Sequence, residues 1–431
     1  MSLDTRSTSV RAAIVVVTCF AAVFMYIDRA CLAQMKGDVQ ADLKLEDWQM
    51  DWIFSAFFWS YALSQVPSGF LGPALGLRRT LTILLFSWSI CTAVCGLTTG
   101  FLGLFAARLA VGVSEAGAYP TAAALVKGWF PLSARGRANS FVALGGRLGW
   151  AVSYLLTPYL ILLSFDWRGV LMLYGLAGVV WSAVFWWIAR DTPRQHPWCN
   201  AAEVAYAGPP IPPVPPGRGL ADAMEAAAAL AASRNIWLFG LTQFGVNIGW
   251  VVLLTKMPAM LVERFHASPE EKGWISAVPA VASIGGMFLG GFIGDYCIRR
   301  LGLRRGRAWP IGSMLFVASL AYLACTLFDN PWSVAAALAV MAVASDIAIP
   351  SIWAFAQDVG GRYTGATIGA GNMLGNLGGA VSPILLGLIQ REYGWDSMFV
   401  SCAACFALAG IAALNLDATK PVMREDRRNT V

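Results

Sequence analysis

The apolar stretch Gly103-Leu-Phe-Ala-Ala-Arg-Leu-Ala-Val-Gly-Val-Ser-Glu-Ala-Gly-Ala-Tyr-Pro120 contains two charged residues, Arg108 and Glu115. The pattern predicts a helix, and residues seven positions apart lie on the same face of a helix, about 10 Å apart along its axis. Charges are costly inside a membrane, and those that occur there usually mark a pathway for a substrate, an ion or a proton. This face is therefore the first candidate for a functional site.

The composition indicates an integral membrane protein. Of 431 residues, 57% are hydrophobic and 13% are charged, whereas a soluble domain has about 25% charged residues. The net charge of +6 is spread over loops, which argues against nucleic-acid binding. The two histidines and nine cysteines form no metal-binding cluster in the sequence. Neither a nucleotide-binding motif nor a nucleophile–base set occurs, which argues against an ATP-driven pump and against an enzyme.

Twelve apolar runs are long enough to cross a bilayer, which takes about 20 residues per helix. They lie at residues 12–34, 48–72, 80–99, 101–124, 139–163, 167–189, 236–261, 273–297, 308–328, 331–355, 363–389 and 394–416. The first run has no clear cleavage site, so we interpret it as a membrane helix rather than a removed signal peptide. The sequence therefore predicts an all-α membrane protein with twelve transmembrane helices.

The distribution of basic residues predicts the topology. If both termini are cytoplasmic, the loops on that side hold twenty-one Lys and Arg residues and the opposite loops hold six. Cytoplasmic loops carry such an excess. We therefore expect a multi-pass protein of a bacterial inner membrane with both termini in the cytoplasm, in contact with membrane lipid.

The longest interruption between runs divides the helices into six and six. It contains Gly208-Pro-Pro-Ile-Pro-Pro-Val-Pro-Pro216, a stiff extended segment. We predict an N-terminal half at residues 1–190, a cytoplasmic Pro-rich linker at 191–234 and a C-terminal half at 235–431. Two equal halves are typical of a duplicated transporter with its site at their interface.

Two loops at corresponding places in the halves share a pattern. Gly69-Phe-Leu-Gly-Pro-Ala-Leu-Gly-Leu-Arg-Arg79 follows helix 2, and Gly291-Phe-Ile-Gly-Asp-Tyr-Cys-Ile-Arg-Arg300 follows helix 8. With the twelve helices and the central loop, these loops make the sequence resemble the major facilitator superfamily. In that family the loop normally contains an Asp-Arg pair. Pro73 and Ala74 replace the pair here, whereas Asp295 keeps the acid.

Finer motifs resemble the anion–cation symporter branch of that superfamily. They are Tyr26-Ile-Asp-Arg29, Arg108 with Ser114-Glu-Ala-Gly-Ala-Tyr-Pro120, Ala134-Arg-Gly-Arg-Ala138 and Asp191-Thr-Pro-Arg-Gln-His-Pro197. The branch includes bacterial sugar-acid carriers, and its bacterial members generally couple uptake of an organic anion to protons. The resemblance implies a small organic anion as the substrate and the proton as the coupling ion.

The residue types in these motifs suit that chemistry. The planar guanidinium of arginine binds a carboxylate through two hydrogen bonds, and buried carboxyls can exchange protons near neutral pH. We assign Arg108 to the substrate or to pairing with Glu115, and we assign proton coupling to Asp28 and Glu115. The alternative is that Arg29–Asp28 and Arg108–Glu115 are fixed structural pairs. Arg29 contacts the substrate or only neutralises Asp28.

Further candidates lie along the same chain. Tyr26 and Tyr61 match tyrosines that line the anion site in the sugar-acid carriers that this sequence resembles. Arg147 and Lys256 interrupt apolar runs. If they face the cavity with Arg108, the ligand has two acidic groups or an acid on an aromatic ring. Lys256 could instead extend to the membrane interface.

The C-terminal half contributes polar and aromatic candidates for substrate contact: Gln243, Asn247, Trp353, Asn372 and Asn376. The amides can bind hydroxyl groups or join helices. Asp346 is a third protonatable group or a partner for a cation.

The sequence therefore predicts a monomeric secondary transporter that takes up an organic anion with protons by alternating access. The anion is a carboxylate such as a sugar acid, an aromatic acid or a dicarboxylate. The expected transporter has no cofactor, no bound metal and no nucleic-acid partner. An anion exchanger or a facilitator of the same fold is the alternative, and a non-transporting membrane sensor is a remote one.

Overall fold

The computed structural model describes residues 7–68, 71, 75–207, 227–360 and 364–422. Over these ranges the chain is helical and forms no β-strand. The Pro-rich segment 208–216 lies outside the described residues. So do Pro73 and Ala74 of the first loop repeat.

Up to residue 207, the described helices follow the predicted runs closely. They are α1 (Val10–Gln34), α2 (Lys36–Leu43), α3 (Asp47–Ser68), α4 (Leu77–Cys95), α5 (Phe101–Glu115), α6 (Ala118–Trp129), α7 (Leu132–Leu162), α8 (Trp167–Ile188) and α9 (Ala201–Ala207). The run expected at 101–124 is interrupted by a turn at residues 116–117. Helix α5 therefore ends at Glu115, one of the two charges that drew attention to this stretch.

Beyond residue 227, five helices contain the remaining runs. They are α10 (Arg234–Thr255), α11 (Met257–Glu263), α12 (Pro269–Ala324), α13 (Pro331–Gly360) and α14 (Thr364–Leu414). Gly302 (φ 72°) divides α12 into two helices, and Gly394 (φ 83°) divides α14 in the same way. Glycine adopts positive φ without the penalty that a Cβ atom brings, so each glycine permits a sharp turn between two crossings.

The described residues supply the predicted number of membrane crossings. Eight helical segments are long and apolar enough to cross a membrane. Two of these contain Gly302 or Gly394 and therefore supply two crossings each. Helices α3 and α7, with 22 and 31 residues, are also long enough. This gives twelve crossings within the described residues and confirms the all-α membrane fold.

The chain divides into two compact units. The first unit is residues 1–213 with 254–281, and the second unit is residues 214–253 with 282–431. The predicted C-terminal half began at residue 235, but Leu254–Val281 belongs to the first unit. Side chains explain this assignment, because Tyr154 Oη donates to the Leu254 carbonyl at 2.6 Å and Lys272 Nζ donates to the Gln34 carbonyl at 2.8 Å.

Glycines bring helices together within each unit. In the first unit, a Cβ atom at Gly145 or Gly149 would meet the backbone of α1 at Cys19 or Val23. Helices α7 and α1 therefore pack backbone against backbone, a close approach that small residues permit. In the second unit, Gly378 of α14 packs in the same way against the backbone of α10.

Candidate functional site

Four charged side chains are buried together in the first unit. Asp28 and Arg29 lie in α1, and Arg108 and Glu115 lie in α5. Their exposed fractions are 1%, 8%, 4% and 0% respectively. All four were predicted as site residues. We call them the charged cluster, and their formal charges cancel.

The shortest ion pair in this cluster joins α1 to α5. Arg29 Nε donates to Glu115 Oε2 at 2.6 Å, and the Oε1 atom of Glu115 has no hydrogen-bond partner among the described residues. The pairing differs from the Arg29–Asp28 and Arg108–Glu115 pairs considered from the sequence. Adjacent residues leave a helix about 100° apart, so Asp28 and Arg29 point in different directions from α1.

Three aromatic rings surround the Arg29 guanidinium. Its Cζ atom lies 5.1 Å from the ring centroid of Tyr26, 4.9 Å from that of Phe57 and 4.7 Å from that of Tyr61. The rings of Phe57 and Tyr61 are stacked with centroids 5.6 Å apart. We call these three residues the aromatic cage. Such contacts stabilise a cation and hold a planar guanidinium in one orientation.

Arg108 lies between the aromatic cage and Asp28. Its Cζ atom is 5.1 Å from the Phe57 centroid, and its Nη1 atom donates to the Asp28 backbone carbonyl at 3.4 Å. Neither carboxylate oxygen of Asp28, nor the Nε atom of Arg108, has a hydrogen-bond partner among the described residues. A buried polar group without a partner carries a large desolvation penalty. Such groups are sites where a proton, a water molecule or a ligand can bind.

Lys256 is held by a carboxylate that the sequence reasoning missed. It lies at the break between α10 and α11, is 3% exposed, and forms an ion pair with Asp51 of α3, which is 1% exposed. This burial does not fit extension to the membrane interface. Asp51 could have been recognised from the sequence in the same way as Glu115, because it is a carboxylate within a predicted apolar run, residues 48–72.

Arg147 lies on α7, next to a glycine that packs against Tyr26 of the aromatic cage. It is 8% exposed and interacts electrostatically with Tyr119. At the preceding residue, a Cβ atom on Gly146 would lie 2.8 Å from the Tyr26 ring. The glycine therefore lets this turn of α7 approach Tyr26.

The predicted residues of the second unit lie on three helices. On α10, the Asn247 side chain donates to the Gln243 carbonyl at 2.9 Å. On α14, the Asn376 side chain donates to the Asn372 carbonyl at 2.7 Å. A Cβ atom at Gly375 would lie 2.8 Å from Asn247 Nδ2, so the two amide-bearing faces pack together.

Helix α13 contributes the other two candidates of the second unit. Trp353 is 39% exposed, whereas Asp346 is fully buried. Among the described residues, no group of three or more His, Cys, Asp or Glu side chains is arranged to hold a metal ion.

Twelve membrane crossings and a buried cluster of charges are typical of membrane solute transporters. The sequence profile of the Major Facilitator Superfamily matches residues 18–383 and 239–430. The chain belongs to this superfamily, as its loop and helix motifs predicted. It is a multi-pass membrane transporter and not an enzyme.

Two known proteins similar to this chain are named as transporters of sugar acids. The D-galactonate transporter of Escherichia coli O6:H1 is 28% identical over 410 residues, which cover 91% of this chain and 92% of that protein. The probable galactarate/D-glucarate transporter of Bacillus subtilis (strain 168) is 29% identical over 420 residues, which cover 90% of this chain and 88% of that protein.

A solved structure supports the fold alone. It is a bacterial homologue of the human lysosomal transporter Spinster in an inward-facing, unoccupied conformation. It matches with a TM-score of 0.71 at 19% identity and covers 95% of both chains.

Proposed function

We propose that this transporter takes up an organic anion together with protons, and that Glu115 and Arg29 couple the two. The observation that carries the proposal is the buried Arg29–Glu115 pair inside the aromatic cage. The carboxylate of Glu115 occupies the position on Arg29 where the carboxylate of a substrate would bind. A proton on Glu115 removes its negative charge and frees the guanidinium for the substrate.

We propose roles for the neighbouring residues that are consistent with the same geometry. Arg29 becomes the first substrate-binding cation, a role that the sequence had assigned mainly to Arg108. Tyr26 and Tyr61 carry phenol groups that can bind the hydroxyls of a sugar acid. Arg108 is the second cation, and Asp28 is the second proton-binding carboxyl because both of its oxygens are buried without a hydrogen-bond partner among the described residues.

The proposed substrate class is a sugar acid or a related carboxylate. The names of the two curated relatives, which refer to D-galactonate and to galactarate and D-glucarate, support this class. Lys256 is neutralised by Asp51, so a second carboxylate would depend on Arg108 or Arg147. We propose the amides of Gln243, Asn247, Asn372 and Asn376, with Trp353, as substrate contacts of the second unit.

The remaining parts of the proposal follow the predicted topology. The protein acts as a monomer in a bacterial inner membrane with both termini cytoplasmic, by alternating access. Its six-helix halves are residues 1–190 and 235–431, joined by a linker at 191–234. The proton is the coupling ion, and the cycle involves no organic cofactor.

A two-stage experiment tests this function. A thermal-shift screen of purified protein against sugar acids, aromatic acids and dicarboxylates identifies a ligand. Uptake of that ligand into proteoliposomes is then measured with and without an inward proton gradient. We expect accumulation above the external concentration only with the gradient. Equal uptake after the gradient is collapsed would favour a facilitator or exchanger, and binding without uptake would favour a sensor.

A further inference from the structure

The Asp51–Lys256 pair is a second buried ion pair of the first unit, separate from the charged cluster. Asp51 lies in the first turns of α3, and Lys256 lies between α10 and α11. Both side chains are at most 3% exposed. Burying two charges is costly, and a pair of this kind does not by itself stabilise a protein relative to apolar residues. Its presence therefore requires another explanation.

The position of Lys256 gives no reason for a cation. Lys256 is the N-cap of α11, and its side chain makes no capping hydrogen bond. The N-terminus of a helix carries partial positive charge, which disfavours a cation there. The lysine is instead matched to Asp51, a residue more than 200 positions away in the sequence. The ion pair therefore joins two distant segments of the chain and does not stabilise α11 itself.

Lys256 lies where the chain passes from the second unit to the first. Helix α10 runs without interruption to Thr255, yet residues up to Leu253 belong to the second unit and Leu254–Val281 belongs to the first. The boundary between the units thus falls within three residues of Lys256. Lys256 and its ion pair with Asp51 therefore lie next to the point where the chain enters the first unit.

The other contacts of the same segment include a longer ion pair and hydrogen bonds to backbone carbonyls. The Lys36–Glu263 ion pair is 3.8 Å long, and the Glu263 side chain is 43% exposed. Exposed pairs of this kind contribute little. Tyr154 and Lys272 bind backbone carbonyls. By contrast, separating Asp51 from Lys256 leaves two buried charges without each other, which is strongly unfavourable.

We propose that Asp51 and Lys256 form an electrostatic latch that holds Leu254–Val281 on the first unit. The latch sets the balance between a docked and a released state of this segment. Lys256 is accordingly a positioning residue that acts through the segment, and it is not a substrate contact. This inference requires no proton coupling, because it concerns only how the segment is held.

Hydrogen–deuterium exchange of the full-length protein in lipid nanodiscs tests the latch without a substrate. Asp51→Asn and Lys256→Met should each accelerate exchange in peptides from residues 254–281 by about tenfold or more, since each removes the attraction between the two buried charges. The exchanged-charge variant Asp51→Lys/Lys256→Asp should restore protection to within about threefold of wild type, because the attraction is symmetrical.

Two control variants separate this result from other effects. Asp42→Asn removes a carboxylate that pairs with Arg168 at 2.9 Å but is 48% exposed, and it should leave exchange at 254–281 unchanged. Glu115→Gln should also leave it unchanged, so failure of the latch and failure of the proposed coupling are distinguishable.

Unchanged exchange in both single variants would overturn the latch. An exchanged-charge variant that is as unprotected as the single variants would overturn it as well. Proton-driven uptake of D-galactonate provides a second readout if wild type carries this acid. A substrate-binding Lys256 predicts that the exchanged-charge variant stays inactive, whereas the latch predicts recovered uptake. If wild type does not carry D-galactonate, the exchange data decide alone.

Discussion

Replacing Glu115 by glutamine should separate substrate exchange from proton-driven accumulation. The amide has nearly the shape of the carboxyl group but carries no charge and takes up no proton. It therefore resembles a permanently protonated Glu115. Because Arg29 keeps its positive charge without a competing carboxylate, we expect the variant to bind the anion and to exchange it across the membrane. Accumulation driven by a proton gradient should be lost.

The stability change expected from this substitution is moderate. Arg29 Nε donates to Glu115 Oε2 at 2.6 Å, and the glutamine oxygen can still accept that hydrogen bond. The loss is then at most that of a charge-assisted hydrogen bond, about 1.5–3 kcal/mol. This is less than the approximately 3–5 kcal/mol expected when one partner of a buried ion pair is removed altogether.

The chain offers a closely matched control in Glu203→Gln. Glu203 is 1% exposed and accepts from Arg11 Nη1 at 2.6 Å. It also accepts from the backbone amides of Ser9 and Arg11, so the control should lose at least as much stability as Glu115→Gln. Glu203 lies outside the charged cluster, so we expect the Glu203→Gln variant to accumulate substrate in response to a proton gradient, as wild type does.

The assay compares two fluxes in proteoliposomes for each variant. Counterflow of labelled substrate reports exchange, and uptake against an inward proton gradient reports coupling. Accumulation of substrate by Glu115→Gln at the wild-type level would contradict a coupling role for Glu115. Loss of coupling to the same extent in Glu203→Gln would contradict it as well, because the effect would then follow from reduced stability.

Three further changes test other parts of the account. Arg29→Lys keeps the charge but loses the planar group that contacts the aromatic cage, so uptake should fall by about tenfold or more in the same liposome assay. Gly112→Ala places a Cβ atom against Ser60 and the Phe57 carbonyl, and should lower the free energy of unfolding by about 1–3 kcal/mol in a denaturation experiment. Burial lowers the pKa of His196, although a hydrogen bond to a backbone carbonyl opposes this. The unfolded chain then binds the proton at higher pH, so the stability contributed by His196 is present above about pH 6.5 and is lost as the pH falls below it. The decrease in unfolding temperature between about pH 7.5 and 5.5 should be smaller in His196→Gln.

The helices and the charged residues of the first unit could be predicted from the sequence, because both depend on local properties of the chain. Apolar runs of the right length specify membrane helices. A charge within such a run stands out without knowledge of its neighbours, which is how Asp28, Arg108 and Glu115 were identified.

The partners within the site could not be predicted, since they depend on how one helix is rotated against another. Spacing put Arg108 and Glu115 on one face of α5, but in the structure Glu115 pairs with Arg29 of α1, and Arg108 donates to the Asp28 carbonyl. The rotation of α1 decides that Arg29 reaches Glu115. The Asp51–Lys256 pair joins segments more than 200 residues apart, and no local pattern connects them.

The most direct test of the proposed function is the movement of protons that accompanies the substrate. Proteoliposomes containing a pH-sensitive dye are given the ligand found by the thermal-shift screen, and the internal pH is recorded. Proton-coupled uptake predicts that the lumen acidifies with wild type and does not acidify with Glu115→Gln, although that variant still exchanges substrate. Entry of labelled substrate into wild-type liposomes without acidification would contradict the account.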